Sequence, residues 1–397
     1  MNKFKMTKSI ILLTSLFSLA ACQRQESTTE GNTEGIKPST PSSEVSTTVE
    51  IKDMLGRDVT VKKDAKERVI CLGAGALRLY SYVGDVNKLV GVEDIDRNVG
   101  ANPFKDVSRP YYDLHEAHFS TLPSCGKGGP QAQKPEHEKI LSCNPSLIIT
   151  EYTDVNVVND LQNKTGVPVV ALSYGPKSVF DQKIKDSISI LGKVLYQEEK
   201  ADTLNSYIAF CEEELKMKVS NTSEVAAPLY IGCLGNWGRQ DIYSTSSNYI
   251  LFNVSNIPNA LDSTVQLQEG KIEEEKFVSL NPSKIVLDSA GIERFRETFK
   301  QKRDTFMAMD AFKNNEIYIQ IAFNAYYTNL EVALMDAYYL ASISYPETYK
   351  DFNLTDKYNE ITKNFLGKEF YSEIAAKPLS YGGYQKISNI EEFMNAK

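Results

Sequence analysis

Four short stretches carry the side chains that could do chemistry, and each joins a glycine- or amide-rich turn to aromatic or basic groups. Gly73-Ala-Gly-Ala-Leu-Arg78 ends in a cation, and Arg109-Pro-Tyr-Tyr112 sets a guanidinium beside Tyr111 and Tyr112. Gly235-Asn-Trp-Gly-Arg239 holds the single tryptophan of the chain, Trp237, with Arg239 and then Tyr243 close behind. Asn324-Ala-Tyr-Tyr-Thr-Asn329 contributes Asn324, Tyr326, Tyr327 and Asn329. Aromatic faces stack on planar groups, guanidinium pairs with anions, and amides hydrogen-bond to either. That chemistry holds a ligand without breaking a bond.

The inventory for catalysis is thin. The chain has no Gly-x-Ser-x-Gly elbow, no His-Glu-x-x-His zinc helix and no histidine late enough to close a triad, so no enzymatic activity is expected and a lipid-anchored hydrolase is the remote alternative. Its 3 histidines, His115, His118 and His137, all fall in the first half. A cage for a bare transition metal needs ligands from both halves. The pair His115-x-x-His118 could touch an iron or haem, or could simply be solvated loop.

These stretches sit behind strands. Apolar, β-branched runs at 68–72, 88–92, 146–150 and 168–172 predict strands in the first half, and 228–233, 284–287 and 316–320 predict them in the second. Strands alternating with helix-like segments give parallel α/β lobes. In such sheets ligands bind beyond the carboxyl ends of the strands, where the first, third and fourth stretches lie. The glycines at 73 and 75 let backbone approach a ligand at a helix N-terminus.

A short repeat divides the chain. EKILSCNPSLII begins at Glu138 and EKFVSLNPSKIV at Glu275, identical at seven of twelve places. Each copy reads as a helix end, an Asn-Pro turn and a buried strand. Two similar lobes follow.

Each stretch also has a plain structural reading. Asn324 or Asn329 could cap a helix with Tyr326 packed inward. The segment 98–135 has weak periodicity, and a loop that long is either functional or an exposed excursion carrying Arg109, Tyr111 and Tyr112. The tail Leu379-Ser-Tyr-Gly-Gly-Tyr384 has no role readable from its composition.

At the amino terminus Lys3, Lys5 and Lys8 precede an apolar run that closes on Leu19-Ala-Ala-Cys22, which predicts a secretory signal over 1–22 with lipid attached to Cys22. Residues 23–49 turn to Ser, Thr, Glu, Gly and Pro, the composition of a disordered tether. Cleavage removes three lysines, so the net charge goes from −8 to −8 − 3 = −11. Nucleic acid is thereby disfavoured as a partner, and the membrane is met only through the lipid. Of 6 cysteines, five remain after Cys22, scattered without a metal or disulfide pattern.

Between the lobes, 178–220 predicts a helical segment, with Ser178-x-x-Asp181 as its capping signal and a break near Gly192 and 197–200. Its second part, about 22 residues, would run some 33 Å at 1.5 Å per residue. The lobes are then 50–177 and 221–397.

Taken together, Asp53-Met-Leu-Gly-Arg-Asp-Val-Thr-Val61, Arg68-Val-Ile-Cys-Leu72 leading into Gly73, Asn144-Pro-Ser-Leu-Ile-Ile149, Leu191-Gly-Lys-Val-Leu195 with Glu199-Lys-Ala201, and Ala311-Phe-Lys-Asn-Asn-Glu-Ile-Tyr318 resemble the class III, helical-backbone substrate-binding lipoproteins of ABC importers. The resemblance covers nearly the whole mature chain. It implies an α/β fold of two Rossmann-like lobes with parallel sheets, joined by a long rigid helix, with a ligand crevice between them. It further implies a monomer on the extracytoplasmic face of the cell membrane, without a cofactor, that hands cargo to a permease and its ATPase. The cargo expected is an iron complex, ferric siderophore or haem, with cobalamin, molybdate or a bare metal as alternatives. The ligand residues expected are Arg78, Arg109, Tyr111, Tyr112, Trp237, Arg239, Tyr243, Asn324, Tyr326, Tyr327 and Asn329. Docking in this class uses an acid on each lobe; the positions near Asp154 and near Pro258 do not both carry a carboxylate, so Asp154 is the candidate on the first lobe and its counterpart on the second is left open.

Overall fold

The computed structural model describes residues 47–97, 106–129, 134–176, 179–235, 241–261 and 265–396. It opens with an antiparallel hairpin of β1 (Thr48–Lys52) and β2 (Asp58–Lys62), so regular structure begins inside the stretch read as tether. Asp53 builds the turn: its Oδ1 accepts from Leu55 N and Arg57 N, each at 3.0 Å, and its Oδ2 accepts from Ala171 N at 3.2 Å. Gly56 takes the left-handed conformation there (φ +79). The Asp-x-x-Gly-Arg motif is thus a clasp that fastens the hairpin to the edge of the first sheet.

That sheet follows the apolar runs of the sequence. It contains β3 (Val69–Leu72), β4 (Leu89–Glu93), β5 (Ser124–Gly126), β6 (Leu147–Thr150) and β7 (Val169–Ala171), all parallel in the order β5-β4-β3-β6-β7. Helices α1 (Ala76–Val83), α2 (Pro110–Phe119), α3 (His137–Ser142) and α4 (Val155–Thr165) make the crossovers. The stretch 98–135 is therefore not one long loop. Pro110 starts α2, where its missing N–H costs nothing, and a fully buried Cys125 sits on the short edge strand β5.

The second sheet has the order β11-β10-β9-β8, formed by β8 (Tyr230–Gly232), β9 (Ile285–Asp288), β10 (Ile317–Gln320) and β11 (Gln385–Lys386). The first three are parallel and β11 is antiparallel to β10. The sequence repeat lands on equivalent units: α3 leads to β6 as α7 (Glu274–Leu280) leads to β9, and the two asparagines, Asn144 (φ 49) and Asn281 (φ 41), both adopt the left-handed conformation that asparagine tolerates.

The linking segment is a helical hairpin rather than one strut from Ser178. Ser178 lies outside the described residues. Helix α5 (Gln182–Leu195) starts at Asp181, whose carboxylate accepts from Lys183 N at 2.8 Å. Tyr196 turns left-handed (φ 55), and α6 (Glu198–Ser220) runs back along α5. Gly192 permits the approach, since a Cβ there would lie 2.6 Å from that of Ala201. With 23 residues, α6 is about 34 Å long. It buries one stripe, Ala201, Leu204, Ile208, Cys211 and Leu215, while α5 lies on the first lobe.

The largest hydrophobic cluster crosses from one lobe to the other. It runs from Ile51, Leu79 and Tyr82 through Leu191 and Ile208 to Val286, Leu334, Tyr338 and Ile374. All five described cysteines are free and buried, which suits small apolar fillers. The tail Tyr-Gly-Gly-Tyr also finds its place: the Tyr384 phenol donates to Asp336 Oδ1 at 2.6 Å, and its ring packs on Tyr339, Tyr358 and Tyr371. Among the described residues no helix is long and apolar enough to cross a membrane.

Candidate ligand-binding site

The carboxyl ends of both sheets meet around Arg78. After β3 the chain turns through Gly73 (φ +88) and Gly75 (φ +90), and α1 then carries Arg78 under the second lobe. The arginine is fully buried. Its Nε donates to Asn329 Oδ1 at 3.0 Å, its Nη1 to the Tyr174 hydroxyl at 3.4 Å, and its Nη2 to the carbonyls of Ala325 at 2.7 Å and Tyr326 at 3.0 Å. One planar fork thus ties α1 to the loop after β10.

That loop carries two consecutive tyrosines in the left-handed region, Tyr326 (φ 53) and Tyr327 (φ 72). Conformations so costly for a residue with a Cβ persist only where the surroundings impose them. Here the Arg78 fork holds the carbonyls, and Asn329 Nδ2 donates to Phe323 O at 3.0 Å. Asn329 stands at the N-cap position of the helix Leu330–Ser344 without a side-chain capping bond, because its amide is engaged by the turn and by Arg78. Asn324 is exposed on the same loop.

The two tyrosines face different ways. Tyr326 is buried, donates to Glu93 Oε2 at 2.8 Å and accepts from Gly129 N at 3.2 Å. Tyr327 is 40% exposed, with its ring 4.7 Å from that of Tyr174. Tyr174 in turn donates to Gly75 O at 3.0 Å. Gly75 must stay bare, for a Cβ would lie 2.7 Å from the Tyr174 ring.

Two acids close the floor. Glu93, at the end of β4, accepts from Gly73 N at 3.2 Å through both oxygens. Burial pushes its pKa up to about 7, against the downward pull of the Tyr326 and Gly73 bonds. Glu151, directly after β6, has a buried Oε1 with no hydrogen-bond partner. Its pKa is also raised well above the carboxylate range by burial, with the Arg78 charge pulling the other way.

The remaining expected residues divide. Arg109 and Asp96 form a buried ion pair at 2.6 Å, the Tyr111 phenol donates to Asp96 at 2.8 Å, and the Arg109 guanidinium lies 4.1 Å from the Tyr112 ring centre. These three expected ligand residues are core: Tyr111 and Tyr112 are buried, and the Arg78 guanidinium lies 4.8 Å from the Tyr111 ring centre. Tyr243 packs on Phe277 and Phe306 in the second lobe, away from the Arg78 cluster. Asp154 is the exposed N-cap of α4, accepting from Asn156 N at 2.8 Å. Cys22, Trp237 and Arg239 lie outside the described residues. His118 Nε2 is bonded to Val86 O, and His115 and His118 both lean on Phe119.

Sequence reasoning passed over Glu93, Glu151 and Tyr174. A signal was present for the acids: each stands immediately at the carboxyl end of a buried strand run, where ligands are met.

Residues 69–320 match the family described as periplasmic binding protein. Among curated protein sequences nothing matches the chain. Solved structures do: a periplasmic solute-binding protein from Veillonella parvula (19% identity, 83% of this chain and 96% of that one, TM-score 0.60); the molybdate periplasmic binding protein of Haemophilus influenzae (17%, 81% and 98%, TM-score 0.57); and a siderophore-binding protein bound to ferric iron and two acinetobactin molecules (16%, 75% and 98%, TM-score 0.51). The chain belongs to the periplasmic binding protein family, class III, as a solute-binding protein of an ABC transporter. Proteins of this family work with an ABC permease and its ATPase and bind small-molecule ligands.

Proposed function

We propose that this protein captures an iron complex, a ferric siderophore or haem, outside the cytoplasm and delivers it to the permease while held to the membrane by lipid on Cys22. The observation that carries the reading is the gathering of phenols and carboxylates on the loops at the strand ends around Arg78: Tyr174 beside the exposed Tyr327, Tyr326 bonded to Glu93, and the unpartnered Glu151. Phenol and carboxylate oxygens are hard donors suited to ferric iron and its oxygen-rich chelates, and the exposed Tyr327 ring offers a face for a planar ligand. The ligands of the fold relatives range from molybdate to a ferric siderophore, so the choice rests on these side chains. The exposed carboxylate of Asp154 is a docking contact for the permease in this reading. The protein works as a monomer.

Purification of the mature protein from its own host, followed by its absorption spectrum and by titration of ferric siderophores, haem, cobalamin and molybdate against Trp237 fluorescence, tests this. Tight quenching by a ferric complex is expected. Binding of molybdate or cobalamin alone would refute the iron reading, and hydrolytic turnover without binding would refute capture itself.

A further inference from the structure

The tail whose composition gives it no readable role ties the two lobes together at one edge of the crevice. The Lys377 ammonium reaches the first lobe and pairs with Asp113 at 2.7 Å, and Leu379 N donates to Asp106 O at 3.0 Å. Asp113 is held ready for this contact. Its side chain is only 6% exposed, and its other oxygen accepts from Arg109 N at 3.1 Å and from the Ser108 hydroxyl at 3.3 Å.

Both ends of this crossing belong to strand ends. Arg109, which Asp113 holds by its backbone, is paired with Asp96 shortly after β4. In the second lobe the turn Pro378–Ser380 lies against Ser289–Gly291, which directly follows β9. Residues 377–380 therefore bridge the lobes on the side of the sheets where a ligand is met.

The two attachments are unequal. Upstream, Ile374 is buried in the shared apolar cluster. Downstream, Tyr381 donates to Glu293 Oε1 at 2.8 Å with its ring 5.3 Å from the Arg296 guanidinium, Tyr384 donates to Asp336, and Gln385 and Lys386 pair with β10. The chain reverses between them through three consecutive left-handed residues, Tyr381 (φ 51), Gly382 (φ 86) and Gly383 (φ 93). Against these anchors the first-lobe end has one ion pair, with Lys377 25% exposed, and one backbone bond. Ion pairs open to solvent contribute little, and local opening takes the least-held segment first.

We infer that residues 377–380 are a strap that shuts one end of the crevice, and that its release from Asp113 and Asp106 paces the entry and exit of cargo. The inference rests on the capture reading and holds whichever cargo is taken up. A strap fastened both with and without cargo slows the two directions equally, so loosening it speeds both and leaves the equilibrium where it was.

Stopped-flow quenching of Trp237 in the mature protein by a ferric trihydroxamate, by haem and by molybdate reads both rates. Lys377→Met keeps the length of the side chain and removes its charge. It should raise association and dissociation alike by about tenfold, a step of about 1.4 kcal/mol, with Kd changed by less than about twofold. Hydrogen exchange at the Leu379 amide should quicken by a similar factor while that at Val286 in β9 does not. Asp113→Asn should act in the same direction, and the double variant should add little to either single change, as expected of two ends of one contact. Unmoved rates in a Lys377→Met protein that still binds a probe would overturn the inference and leave capture standing. A weaker Kd with association unchanged would make the segment a brace and overturn it as well. Should Asp113→Asn unsettle α2, Lys377→Met decides alone, and failure of all three probes to bind would refute capture together with the strap's part in it.

Discussion

Tyr326 of the second lobe donates its phenol to Glu93 of the first at 2.8 Å, and this bond between the lobes ends on an acid whose pKa burial has pushed up to about 7. A carboxyl raised in this way stabilises the fold fully below its ordinary value of 4.5, and that contribution is lost as pH rises through about 7. The loss runs at up to about 1.4 kcal/mol per pH unit. Thermal melts from pH 4 to 8 should show stability falling with pH over this window, and Glu93→Gln should flatten its share of the slope. A slope identical in wild type and variant would refute the assignment.

Arg78 is a positioning residue in this geometry. Lysine offers a point charge in place of a fork and cannot reach Asn329, Tyr174 and two carbonyls together. Arg78→Lys should cost roughly 3 kcal/mol in denaturant unfolding, because it leaves buried carbonyls unanswered, and should weaken cargo binding by freeing the Tyr326-Tyr327 turn. Unchanged stability would show that the fork does not hold the turn.

Gly75 and Gly56 make a matched pair. Both have left-handed φ, +90 and +79, but a Cβ on Gly75 would strike Tyr174 at 2.7 Å while one on Gly56 would meet nothing within 4 Å. Each change to alanine should cost about 1–2 kcal/mol for the backbone. Only Gly75→Ala should also displace Tyr174 and lower cargo affinity, on the order of tenfold. Equal affinities in the two variants would remove Tyr174 from the site.

The sequence made the sheets legible because the central strands are short, largely apolar runs buried on both faces, as at Val69–Leu72. Edge strands of two or three residues, β5 and β11, leave no period to read. The site was half legible. Asn329 and Tyr326 stand out by type and place, whereas the engagement of Arg78 depends on a loop some 250 positions away, and no local pattern announces that. Tyr111 and Tyr112 were misleading for the same reason: Pro110 starts a helix, and tertiary packing turns both rings inward.

Hinge motion should be small. Helix α6 packs on α5 and on the helix Leu330–Ser344, and wide opening would tear the shared apolar cluster. Solution scattering with and without cargo should change only slightly, and a large rotation between lobes would contradict this.

Lipid attachment has a direct check. Cys22→Ser should abolish incorporation of labelled fatty acid and release the protein from the membrane fraction. Retention of both label and membrane association would refute the Leu-Ala-Ala-Cys reading.

The apolar cluster that begins at Ile51 and ends at Ile374 belongs to neither half. Cut at the helical hairpin, each fragment would bare the surface its partner had sealed, and neither would have a melting transition of its own. The sequence shows its repeat, and the packing joins the two copies through one shared interior.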